Sequence, residues 1–289
     1  MAFVRLIRPI NATMMGLAVL VSVFVATGTV FPLPPSLLGV LTSLTLSGTS
    51  NVTNDYFDRH VDAVNAPSRP LPSGVISTTE ALLLASFLGV IGLISALSTN
   101  LLCAVIASAS LIIALLYNAK GKETGLVGNL MVSALVALPL VYGGFIRGDA
   151  ITLDRLSLPL VFASMAFLAN TGREVTKGIM DMEGDRLRSV KTVALQSGAR
   201  TAAITASLFN CSAVALSLFP PLLGWTSWPY LPLVAVADLG FLASSYHLVK
   251  DHTKGNARKI KNQALLWMLL GLSAFVAGAP VANTGGWLE

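Results

Sequence analysis

Nine apolar stretches of roughly 18 residues or more follow one another along this 289-residue chain. Each is long enough to cross a hydrocarbon layer of about 30 Å as a helix. Their approximate bounds are 10–30, 36–60, 79–97, 100–118, 126–146, 156–183, 201–220, 229–249 and 263–282. Inside lipid a backbone has to satisfy its own polar groups, which restricts single segments of this kind to helices. Only 11% of the residues are charged and the mean hydropathy is +0.73, whereas a soluble domain carries about 25% charged residues. The sequence predicts an all-α polytopic membrane protein, residues 1–289 forming one domain with nine transmembrane helices.

Charge sets the expected orientation. With the N-terminus in the cytoplasm, nine crossings leave the C-terminus outside and put the connections after spans 2, 4, 6 and 8 on the inner side. Of the 19 Lys and Arg, 17 then lie on that side, all but Arg147 and Arg155, as the positive-inside rule requires. The net charge of +5 therefore reports orientation in a lipid bilayer and implies no nucleic acid. Residues 1–9 lead straight into a full-length span, without the pattern of a cleaved signal, and a multi-pass protein of the cell membrane is expected. Cys103 and Cys211 both fall inside apolar spans and read as small buried hydrophobes.

Six of the 14 acids sit in two short clusters, Asp55, Asp58 and Asp62 at the end of span 2, and Asp181, Glu183 and Asp185 at the end of span 6. At about 100° per residue, Asn51, Asn54, Asp55, Asp58 and Asp62 share one helix face, and so do Asn170, Glu174, Lys177, Asp181 and Asp185. Glu183 points away from Asp181 on a regular helix, and Gly184 is a candidate break. Like charges at i,i+4 repel, so a solvated helix end explains the acids poorly, although Asn51, Asn54 and Glu174 also suit plain interhelix hydrogen bonds. Mg²⁺ takes hard oxygen ligands, and Asn54, Asp58, Asp62, Asp181, Asp185 and Glu183 are the candidate metal ligands. The accompanying cations Arg69, Lys120, Lys122, Lys177 and Lys191 suit the oxygens of a departing diphosphate. No EF-hand loop, Walker A sequence, GxSxG elbow or HExxH pair is present. Each acidic cluster is followed by a basic loop, and spans 4 and 8 each run into a Lys-bearing segment, consistent with two four-helix halves plus a ninth helix.

These residues resemble the UbiA superfamily of intramembrane prenyltransferases. The first family motif, NDxxDxxxD, stands here as Asn54, Asp55, Asp58 and Asp62, and its continuation as Asn65, Pro67, Arg69, Pro70, Leu71, Pro72 and Gly74. The second, DxxxD followed by Lys-Thr, matches Asp181, Asp185, Lys191 and Thr192, and Tyr117 to Lys120 with Gly128 and Asn129 lie where the family has its second basic loop. Arg8-Pro9-x-Asn11, Arg173-Glu174-x-x-Lys177 and the DxEGD form are similar to the archaeal digeranylgeranylglyceryl phosphate synthases, with Gly178 where those commonly have Asp.

The resemblance implies a ring of nine helices around a central cavity that lies under a cytoplasmic polar cap and opens laterally to lipid. It implies Mg²⁺ as cofactor, and a prenyl diphosphate donor with a lipid-phosphate or aromatic acceptor as substrates. Asn54, Asp55, Asp58, Asp62, Asp181 and Asp185 would form the catalytic set, and Asn11, Asn51, Tyr117, Asn129, Asn170 and Glu174 would line the substrate cavity. The expected reaction moves a geranylgeranyl group from geranylgeranyl diphosphate to geranylgeranylglyceryl phosphate. The runner-up is transfer to 4-hydroxybenzoate or a naphthoate. A Mg²⁺-coupled or phospholipid transporter is the distant alternative, and it predicts acids near the midplane of broken helices. No obligate protein partner is implied.

Overall fold

The computed structural model describes residues 2–29, 34–147, 153–187 and 190–280. Among them are nine long helices and no strand: α1 (Pro9–Thr27), α2 (Pro34–Asn65), α3 (Thr78–Thr99), α4 (Leu101–Ala119), α5 (Leu126–Phe145), α6 (Leu153–Met180), α7 (Ala199–Ser217), α8 (Tyr230–Lys250) and α9 (Lys254–Gly278). Four short helices, Ala2–Ile7, Met182–Leu187, Val193–Ser197 and Phe219–Leu222, and a 3-10 turn at Gly121–Glu123 complete the set.

Seven of the long helices are apolar enough over 18 residues to count as membrane spans by composition. The other two, α2 and α6, are the longest, at 32 and 28 residues. Their polar faces lower the average hydropathy, and these are the helices that end in the acidic clusters. Two boundaries differ from expectation. Helix α6 stops at Met180 and turns at Asp181, so the break precedes Gly184. Helix α9 starts at Lys254, making Lys254 to Lys261 its first two turns, where an apolar run was expected only from 263. A hydropathy pattern ends at the first charges, but helical hydrogen bonding does not.

Packing follows two groups. Helix α1 lies against α2 and α5, α2 against α3 and α4, and α4 against α5; α6 joins α5 to α7 and α9, with α8 between α7 and α9. Without a hydrophobic force between helices in lipid, close approach depends on small residues. A Cβ on Gly143 of α5 would come within 2.6 Å of the Val19 carbonyl of α1, and one on Gly172 of α6 within 2.9 Å of the Ala206 carbonyl of α7. Away from the acids, Phe162 of α6 stacks on Phe275 of α9 at 4.4 Å, and Tyr230 of α8 meets Phe275 edge-on at 5.3 Å.

Cys103 is buried as expected, but Cys211 is exposed on the outer surface of α7. Asp238, inside α8, is hydrogen-bonded to Ser217 of α7 at 2.7 Å, and the Tyr230 hydroxyl donates to the Ser217 carbonyl at 2.9 Å. This intramembrane acid is an interhelix tie. Arg188 and the side chain of Arg155 lie outside the described residues.

Candidate active site

Four connections gather at one end of the bundle: the loops after α2, α4, α6 and α8. Each is shaped by local chemistry. After α2, Ala66 N–H donates to Asp62 O at 2.8 Å, Ile76 N–H donates to Pro70 O at 3.1 Å, and buried Leu71 and Ile76 pack on Leu6 and Val52. Ser77 then starts α3 with a capping box, its side chain accepting from Glu80 N–H while the Glu80 carboxylate accepts from Ser77 N–H at 2.8 Å. After α4, Gly125 takes φ +68 and lies against the segment that follows α6, where Lys191 N–H donates to Glu123 O at 3.0 Å. The second basic loop is therefore fastened to the second acidic loop.

On α2, every acid of the first cluster meets a cation. Arg8 pairs with Asp55, which is only 5% exposed, and reaches Asn54 at 3.5 Å. Arg69 curls back onto Asp62 at 2.5 Å and lies 3.7 Å from Asp55. Lys122, arriving from the loop after α4, pairs with Asp58. Asn54 donates to Asn118 Oδ1 at 3.3 Å, and the buried Asn118 donates to Ser50 O and Thr53 Oγ1, each at 2.9 Å. Asn51 donates to the Ile7 carbonyl at 2.9 Å, holding the Ala2–Ile7 helix against α2.

On α6, Glu174 accepts from Arg173 at 2.6 Å and faces Lys177 at 3.6 Å, while Asn170 donates to Ser133 of α5 at 3.1 Å. Asp181 and Asp185 are partly buried, and the Asp185 N–H donates to Asp181 O at 2.9 Å. Tyr117 of α4 is near enough to both Glu174 and Asp58 to feel their charges. Glu174 of α6 and Asp58 of α2 thus both lie near Tyr117 of α4.

Other expected site residues stand apart. Glu183 is 83% exposed at its side chain and pairs outward with Lys254 of α9 at 2.6 Å. That hydrogen bond and charge hold its carboxyl below the usual carboxylate value. A metal role for Glu183 is thus at odds with where its side chain goes. Lys120, Lys191 and Asn11 are exposed, Asn11 on the first turns of α1, and Asn129 is half-buried on the first turn of α5. Among the described residues, no three His, Cys, Asp or Glu side chains converge tightly enough to form a ready-made metal cage.

Two contributors escaped the sequence reading of the acids: Arg8 and Asn118. Arg8 is the one non-glycine residue at positive φ among those described, at φ 52. The following Pro9 disfavours ordinary helical geometry at Arg8, so the chain turns there between two helices and the guanidinium swings onto Asp55. Pro9 beside an Arg was the available signal.

Below the acids lies an apolar cavity of about 100 Å³, bounded by α1, α2, α4 and α5. Its α2 wall carries Ser43, Ser47 and Ser50, and continues at helical spacing into Asn54 and Asp58. Charged groups at the mouth and an oily shaft beneath them suit a molecule with an anionic head and a long apolar tail.

Comparison with known proteins agrees with that architecture. The profile of the UbiA prenyltransferase family matches residues 15–283. The chain belongs to the UbiA prenyltransferase family. Within it, a digeranylgeranylglyceryl phosphate synthase of Methanoculleus marisnigri is 35% identical over 282 residues, covering 97% of this chain and 99% of the relative. One of Archaeoglobus fulgidus is 37% identical over 278 residues, covering 95% and 94%. A solved digeranylgeranylglyceryl phosphate synthase superposes with a TM-score of 0.88 at 28% identity, covering 96% of this chain and 97% of that one. A UbiA homologue from Archaeoglobus fulgidus, solved with GPP and Mg²⁺, shares the fold at a TM-score of 0.69 and 19% identity, over 95% and 99% of the two chains. As a member of the UbiA family the chain is a membrane prenyltransferase.

Proposed function

We propose that this protein transfers a geranylgeranyl group from geranylgeranyl diphosphate to the free hydroxyl of geranylgeranylglyceryl phosphate, closing the second ether bond of an archaeal membrane lipid. The observation that carries this reading is the full-length likeness, 35% over 97% of the chain, to a relative named for that synthesis. The geometry supplies its physical basis. One face of α2 leads from an oily cavity up to carboxylates, so a diphosphate lipid enters head-up with its tail in the shaft.

The nine long helices are proposed to surround one membrane-embedded site, as a single domain, with the loop-bearing end and the N-terminus facing the cytoplasm. The side chains fit Mg²⁺ by chemistry: Asn54, Asp58 and Asp62 on α2, with Asp181 and Asp185 in the turn and short helix after α6, offer hard oxygens. Bound there, Mg²⁺ would neutralise charge on the leaving diphosphate as a Lewis acid. The cations now paired with these acids are the ones placed to turn to the diphosphate. Lys122 sits on Asp58 and Arg69 on Asp62; Lys177, Lys120 and Lys191, all exposed, are proposed to reach the same diphosphate. As the donor's C1–O bond breaks, its electron pair leaves with the diphosphate, and these cations meet the developing charge. The allylic cation that remains is shielded from water by the cavity walls. The acceptor oxygen then forms the new C–O bond and releases its proton.

The testing experiment offers purified protein labelled geranylgeranyl diphosphate with Mg²⁺, and geranylgeranylglyceryl phosphate or 4-hydroxybenzoate in separate reactions. Label in the glycerophosphate lipid is the expected result. Label moving only to the ring would replace the acceptor in this account with an aromatic one.

A further inference from the structure

We propose that Glu174 is the general base of the reaction: its carboxylate takes the proton of the acceptor hydroxyl as that oxygen bonds to the donor's first carbon. The inference rests on the prenyl-transfer reading above and names the group that receives the proton released there.

Placement comes first. Helix α6 runs unbroken to Met180, and the Asp181 N–H still donates to Lys177 O at 3.0 Å, so Glu174 stands seven helical residues before Asp181. Seven residues advance about 10 Å and turn the chain through almost two full circles. Glu174 therefore lies beneath Asp181 on the same face, further from the loop-bearing end. A donor held head-up by the acids carries its reactive carbon on that side of the diphosphate, where the tail begins. Glu174 also lies near Tyr117 of α4, itself near Asp58 of the first motif. Its side chain is 12% exposed: open enough to meet a bound molecule, and largely shielded from bulk water.

The carboxylate has capacity for a proton. Arg173 donates to Glu174 Oε1 at 2.6 Å, while Lys177 Nζ lies 3.6 Å from Oε2, an ion pair beyond hydrogen-bond length. An ionised carboxylate offers about four acceptor sites, and only Oε1 receives a hydrogen bond among the described residues. The two cations offset the cost of keeping a charge among apolar helices. The other acids near the two motifs are committed elsewhere. Asp55 is held by Arg8 and Arg69, and Glu183 turns outward to Lys254; Asp58, Asp62, Asp181 and Asp185 are the proposed metal ligands. Asp238 is tied to Ser217. The step balances. The donor's C1–O bond breaks with its electron pair leaving on the diphosphate, a lone pair of the acceptor oxygen forms the new C–O bond, and the O–H proton passes to Glu174 Oε2. An oxygen just bonded to the allylic carbon is strongly acidic, so a carboxylate is base enough.

The test compares two acceptors on the full-length protein: geranylgeranylglyceryl phosphate, and its analogue with a thiol in place of the reacting hydroxyl. At alkaline pH the thiol, with an ordinary pKa of about 8.5, is mostly thiolate and needs no base. Glu174→Gln keeps the side chain's size and an oxygen for Arg173. It should lower kcat with the hydroxyl by about 10²–10⁴-fold, the contribution of a general base, and with the thiolate by less than about tenfold. Glu174→Asp keeps the charge but withdraws it by one methylene; it should cost the hydroxyl reaction alone up to about 10²-fold, which decides the matter if Glu174→Gln fails to fold. Formate, a small diffusible carboxylate, should raise the hydroxyl turnover of Glu174→Ala several-fold and leave wild type unchanged. Near-wild-type hydroxyl turnover by folded Glu174→Gln overturns the proposal. So does an equal loss with both acceptors, which would make Glu174 only a charge partner of Arg173. No transfer by wild type to either acceptor would instead remove the prenyl-transfer reading beneath it.

Discussion

Gly125→Ala is the sharpest single perturbation of the loop-bearing end. Gly125 has φ +68, and a Cβ there would lie 1.9 Å from the Lys191 carbonyl oxygen and 2.8 Å from its carbon. No side-chain rotation relieves a collision of backbone with Cβ, so residues 190–192 have to move by more than 1 Å. A non-glycine residue in this backbone region costs about 1–3 kcal/mol. Losing the Lys191 N–H bond to Glu123 O (3.0 Å) adds about 1 kcal/mol. Together they give a loss of about 2–4 kcal/mol, or about 5–10 °C in the unfolding midpoint of a chain this size. The functional effect should be larger, because Lys191 and Thr192 follow directly on the second acidic motif. A shift of about 1 Å in such a group costs up to 10²-fold in turnover. Gly224→Ala serves as control: it has φ +70 but open space around the added Cβ, at a distant turn, and should cost stability without touching kcat. The assays are thermal unfolding in detergent and steady-state transfer on the same preparations. Gly125→Ala with a wild-type midpoint and wild-type kcat/KM would refute the idea that the two loops are fastened at this point.

Arg8→Ala strands the buried carboxylate of Asp55 with only the more distant Arg69 at 3.7 Å. A loss of about 2–4 kcal/mol is expected, toward the low end of buried-pair values because Arg8 is partly exposed; chemical unfolding measures it, and Arg8→Lys should recover part. Ser77→Ala removes the capping box of α3 and should lower stability by about 1 kcal/mol, with kcat unchanged in the transfer assay. Lys254→Ala should return the Glu183 carboxyl to the ordinary range. Since Lys254 lowers that value, the ion pair is complete above the ordinary carboxylate range and is lost as pH falls through the lower folded value. Carboxyl-carbon NMR of labelled Glu183 reads this directly, and the unfolding midpoint should not change measurably because both groups are exposed.

The sequence was most informative where one helix face carried the signal. Among the described residues, apolar run length anticipated the positions of nine long helices to within a few residues at most ends, seven of them apolar enough to count as membrane spans, and 3.6-residue periodicity put Asn54, Asp55, Asp58 and Asp62 together. It failed where partners lie far apart in the chain. Lys122 meets Asp58 across 64 residues, and Glu183 turns to Lys254 across 71; neither pairing leaves a periodic trace. Periodicity also carried α6 past Met180, because the turn at Asp181 keeps the following acids near helical spacing.

The central claim is that the α2 and α6 carboxylates act together on a Mg²⁺-bound diphosphate. The most direct measurement is transfer from labelled geranylgeranyl diphosphate to geranylgeranylglyceryl phosphate by wild type, Asp58→Ala and Asp181→Ala. Each is assayed in EDTA and then across a Mg²⁺ titration, with folding checked by size-exclusion and circular dichroism. The account predicts metal-dependent wild-type turnover and a loss of at least about 10³-fold in either folded variant, whatever the Mg²⁺ concentration. Near-normal turnover by one variant, or wild-type turnover that persists in EDTA, would contradict it.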